Sequence, residues 1–144
     1  AGGGVAAEVA QPLGARPEAV FAVEEDSVPD LLAAVDLLAG WAKPLAARPV
    51  EFLAREWLKQ QPPAPTKKRA VTFVARNGAE LLEQVAFARE ALSARPDTAI
   101  PDPATPDARP AIRARVFYSP APLGPKGKVA VVFPGSGNQF AGMG

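Results

Sequence analysis

An α+β domain of two layers is what this sequence predicts: a small three-stranded sheet with two to three helices packed on one face. Three observations predict it. Short runs of β-branched and aromatic residues, such as AVFAV and VTFV, are followed by longer stretches whose apolar residues recur at helical spacing. The resulting order is strand, helix, helix, strand, helix, loop, strand, which suits one sheet with its helices gathered on one side. The prolines, 17 in 144 residues, stand between these segments, where a residue without an N–H donor that holds its predecessor out of helix does least harm. Parallel and antiparallel pairing both fit this order.

The elements follow in turn. Ala19–Val23 is a short apolar run suited to a strand. In DSVPDLLAAVDLLAGWAKP, Ser27 caps a helix and Asp30 completes a capping box three residues on. Val28, Leu31, Leu32, Val35, Leu38 and Ala42 then share one face, and Pro44 stops the run. A second helix opens at Pro49, a favoured first-turn residue. It sets Val50, Leu53, Ala54, Trp57 and Leu58 on one side, with Glu51 and Arg55 paired a turn apart on the other, and Pro62 ends it. KKRAVTFVARN carries the next strand over Val71–Val74. Asn77 caps a third helix with Glu80 as its partner; Leu81, Leu82, Val85, Ala88 and Leu92 form its buried stripe, and Pro96 terminates it. After a proline-rich loop, AIRARVFYSP alternates Ile112, Ala114 and Val116 with Arg113 and Arg115, a strand with one wet face. Phe21, Trp57, Phe73 and Phe117 are expected in the core. Trp41 and Phe87 sit slightly off their stripes and form either core or a second packing face, that is, a candidate interface.

Composition narrows the function. With 16 basic and 15 acidic residues the net charge is +1, which gives no electrostatic reason to expect nucleic acid or an anionic membrane as partner. No run approaches the 18 or so apolar residues of a membrane span, and the Gly/Ala-rich start lacks a signal peptide's basic and apolar regions. The absence of cysteine removes disulfides and thiolate metal sites. A soluble cytoplasmic domain without metal or cofactor is expected. Histidine is absent as well, so neither a Ser-His-Asp nor a Cys-His arrangement can be assembled from this chain. Carboxylate or lysine chemistry stays open, although the acidic residues are scattered singly.

The tail KVAVVFPGSGNQFAGMG, Lys128–Gly144, is a strand-like run that meets a glycine-rich loop. Three common motifs fail on it. A dinucleotide fingerprint needs glycine where Phe140 stands, and the Walker pattern needs a Gly-Lys-Ser/Thr that is missing. A nucleophile elbow around Ser136 would need glycines in place of Pro134 and Asn138. What remains resembles the first strand and loop of malonyl/acyl-CoA:carrier-protein acyltransferase domains, through Phe133, Pro134, Gly135, Gly137, Gln139, Phe140, Gly142, Met143 and Gly144. Ser136 stands where the family has its first Gln and Asn138 where it has Ser; the Gly-Ser-Gly-Asn form is similar to that of polyunsaturated fatty acid synthases and related iterative polyketide synthases.

The resemblance implies that Gly135, Ser136, Gly137, Asn138 and Gln139 are the oxyanion-hole loop of a parent acyltransferase, with Ser136 lending its backbone N–H. A main-chain donor there tolerates Ser for Gln, and flanking glycines leave room for close approach. The family's nucleophilic Ser and its His base lie far downstream and are not in this chain. Upstream, FAVEEDSVPDLLAAVDLLAGWA, PVEFLAREWLKQQ and KKRAVTFVARNGAELLEQVAFAREAL are similar to the α/β linker domain that joins ketosynthase, or a ketosynthase-like chain-length factor, to acyltransferase in such megasynthases.

On this basis residues 1–17 are expected to be a flexible arm or the end of a preceding linker, 18–119 the linker domain, and 120–144 a connector with the truncated start of the acyltransferase. The implied role is a noncatalytic spacer that docks on the ketosynthase (or chain-length factor) and acyltransferase domains of the same polypeptide. Two alternatives stand beside it: a fragment of an acyltransferase with activity of its own, and a docking module for acyl carrier protein that uses Lys67, Lys68, Arg69, Arg113 and Arg115. Residues 129–133 are expected to join the following domain's sheet rather than this one, and in this chain to be unpaired or to pair with another copy.

Overall fold

The computed structural model describes residues 16–102, 104 and 110–132. The elements run β1 (Ala19–Glu25), α1 (Val28–Ala42), a 3-10 turn (Lys43–Leu45), α2 (Val50–Gln60), β2 (Arg69–Ala75), α3 (Gly78–Ala94), α4 (Pro110–Arg113), β3 (Val116–Ser119) and a second 3-10 turn (Gly124–Lys126). The three strands form one antiparallel sheet with β2 in the middle, in register through Phe21 opposite Phe73 and Phe73 opposite Val116. Two helices separate β1 from β2, so the chain goes down and back before re-entering the sheet, and the second strand reverses the first. A single crossover helix would have left them parallel.

Period-two geometry puts Phe21, Val23, Val71, Phe73, Ala75, Val116 and Tyr118 on one face of the sheet, and all seven are buried. The stripes of α1 (Leu31, Val35, Leu38, Ala42) and α3 (Leu81, Val85, Ala88, Leu92) close over them. Helix α2 packs beside β1 through Val50, Leu53 and Trp57. Its Trp57 Nε1 donates to the Ala22 carbonyl at 2.9 Å, which blunts the β1 edge. At the other edge, Ile100 and Tyr118 exchange N–H···O bonds of 3.1 and 2.9 Å. The chain after α3 thus meets the outer edge of β3 at Ile100.

Both principal helices begin as their capping residues predict. Ser27 Oγ accepts the Asp30 N–H at 3.2 Å, and Asn77 Oδ1 accepts the Glu80 N–H at 2.8 Å. In α3 the return bond of Glu80 goes to the Arg76 N–H, 2.7 Å away and one residue ahead of the cap. Pro49 stands one position outside α2, as its N-cap, rather than in its first turn.

Three expectations need correction. The alternating stretch Ile112–Arg115 is not strand: Pro110–Arg113 is a helical turn, and β3 starts only at Val116. Proline suits a first helical turn, and the Arg115 N–H bonds the Ile112 carbonyl at 2.9 Å instead of continuing the ladder. Phe117, expected in the core, is 43% exposed; Val116 and Tyr118 take the inward positions, so the residue between them faces out. Leu58 is 55% exposed, because Trp57 already fills the contact with β1 at that level of α2.

One glycine is set by close approach. A Cβ on Gly78 would stand 2.5 Å from the backbone of Ala46, so the start of α3 packs against the chain leaving the first 3-10 turn with no room for a side chain. Gly78→Ala should cost about 1–3 kcal/mol despite the better helix propensity of alanine, measured as a lower urea midpoint at an unchanged slope.

Candidate functional site

The face of the sheet opposite the helices carries the most prominent unassigned surface. Val20, Ala22 and Glu24 from β1, Ala70, Thr72 and Val74 from β2, and Phe117 and Ser119 from β3 all point to it. The register sets Ala22, Thr72 and Phe117 in one row across the three strands and Val20 beside Val74. Val20 is 61% exposed and Phe117 43%. Side chains of this kind on both faces of a strand are usual where both faces are covered. Here helices cover one.

Past the edge of β1 the apolar surface continues into a groove of about 450 Å³ against α2, walled by Val20, Ala22, Ala54 and Leu58 and rimmed by Pro62 and Pro63. Its polar end holds Glu24, Glu25 and Lys67. Trp41 and Phe87 lie elsewhere, in the helix layer. The Trp41 ring is half-buried with its centroid 5.5 Å from that of Trp57 at a 44° tilt, and Phe87 is half-buried against the core. They share no face with the open side of the sheet.

The basic residues of the sequence do not converge. Lys67, Lys68 and Arg69 lead into β2, whereas Arg113 and Arg115 precede β3, and antiparallel pairing places these starts at opposite ends of the sheet. Lys67 Nζ lies 3.2 Å from Glu25 and 3.3 Å from Asp26, which raise its pKa. Arg69 donates to Tyr118 Oη (2.8 Å), the Pro96 carbonyl (2.9 Å) and Asp97 (3.1 Å), and the Tyr118 hydroxyl donates to the same carbonyl at 2.6 Å. This node closes the end of α3 onto β2 and β3. Arg115 reaches Glu18 at 2.8 Å and Glu80 at 3.8 Å. The Lys68 side chain is exposed, and its backbone N–H donates to Asp26 at 3.3 Å. The side chain of Arg113 lies outside the described residues, as do Gly135, Ser136, Gly137, Asn138 and Gln139 of the glycine-rich loop.

Gln84 is a structural polar residue that the sequence reading missed. It is fully buried, and its Nε2 donates to the Val74 carbonyl at 2.9 Å. That carbonyl would take the Arg115 N–H if the ladder went on; since the N–H has turned to Ile112, the amide of Gln84 substitutes for it. Its Oε1 has no hydrogen-bond partner among the described residues. The signal was available, because position 84 falls on the buried stripe three residues after Leu81 and four before Ala88.

Among the described residues no cluster of acidic side chains has the form of a metal site, and no helix is long and apolar enough to cross a membrane. The acidic group with the clearest electrostatic setting is Glu80, whose carboxylate accepts from Arg76 Nη2 at 2.8 Å and from the Arg76 N–H. Arg76 holds it below the ordinary carboxylate range, with Arg115 adding to the effect. A carboxyl whose folded pKa is depressed stabilises the fold above its unfolded value, about 4.3, and this contribution disappears as the pH falls through the lower folded value. Glu80→Gln should therefore flatten the acid limb: the urea midpoint should drop less between pH 7 and pH 3 in the variant than in the parent chain.

Comparison with known protein families, with curated proteins and with solved structures finds no match for this chain.

Proposed function

We propose that this chain acts as a noncatalytic spacer and docking domain between a ketosynthase, or ketosynthase-like chain-length factor, and an acyltransferase in a polyketide or polyunsaturated fatty acid synthase. The observation that carries the reading is the division of the domain into a closed helix side and an open apolar sheet side. Val20, Ala22, Val74 and Phe117 present a flat, unpolar surface of the kind that another domain covers. The resemblance of Phe133–Gly144 to the opening of an acyltransferase supports the identity of the neighbour. Residues 128–132 join none of the three strands, and Val129, Val131 and Val132 stay exposed, in keeping with a segment that passes into a following domain.

On this reading the domain works by geometry. A rigid wedge between two catalytic domains sets the distance that a tethered carrier protein must travel, and so the effective concentration of its acyl chain at each site. The ion pairs at Lys67, Arg69 and Arg115 belong to the fold and stiffen the wedge at both ends of the sheet.

The test is made in the intact synthase. Val20→Asp and Phe117→Asp on the open face should lower overall chain extension about tenfold or more, as loss of a central apolar contact does at a protein interface. Self-acylation of the acyltransferase and condensation by the ketosynthase from free acyl-carrier substrate should stay near the parent rates. Unchanged chain extension in both variants sinks the proposal, and so does stoichiometric, stable acylation of the 144-residue chain by malonyl-CoA.

A further inference from the structure

We draw no further inference here: the strongest candidate, the apolar outer face of α1 at Ala33, Leu37 and Gly40, carries nothing because nothing in the structure shows what covers it.

Discussion

The inward row of β2 is the constraint on which the other elements depend. Val71, Phe73 and Ala75 are fully buried, and each neighbouring strand takes its phase from them: Phe21 and Val23 on one side, Val116 and Tyr118 on the other. A one-residue slip of either neighbour would turn its apolar set to solvent, so this row holds the register of the whole sheet. The helices follow. α1 and α3 lie over the row with their stripes down, Arg89 of α3 bonds Asp36 of α1 at 2.6 Å across their outer surfaces, and the close contact of Gly78 with Ala46 sets where α3 may begin. A sheet covered in this way on one side leaves its second side as the place where function can be sought.

Much of this arrangement was legible in the sequence, for local reasons. Ser27 and Asn77 state where helices start because their side chains bond the first free N–H groups, and Pro44, Pro62 and Pro96 lie just beyond the helix ends they predict. The first two strands were plain from their β-branched and aromatic content. What escaped depends on partners distant in the chain. The period-two pattern at Ile112–Val116 is strand-like by itself, but Pro110–Arg113 forms a helical turn that the Arg115 N–H closes on the Ile112 carbonyl, so the ladder ends with the bond from the Val74 N–H to the Arg115 carbonyl although β2 runs on to Ala75. Gln84 escaped because an amide on an apolar stripe acquires meaning only once the Val74 carbonyl is known to lack its ladder partner.

The candidate surface shows the same division. Five basic residues that look like one set in the sequence occupy opposite ends of an antiparallel sheet, and Lys67, Arg69 and Arg115 are engaged with Glu25 and Asp26, Asp97, and Glu18 and Glu80. Strand direction, which the element order leaves open, decides that outcome. Conversely, Val20, Ala22, Val74 and Phe117 come from three strands and gather only when the register is known. Their apolar character was visible in the runs AVFAV, VTFV and VFY, but which of those residues turn away from the helices follows only from the register.

Trp57 holds the β1 edge through its indole nitrogen and lies against Trp41, and these are the two tryptophans in the sequence. Tryptophan emission from the molecule therefore arises from one pair of rings, shared by α1 and α2. The far edge has a different chromophore, the one tyrosine of the chain, locked between Arg69 and the Pro96 carbonyl. Opening of the domain from the β1 side and from the β3 side thus carries separate spectroscopic labels that nature has already installed.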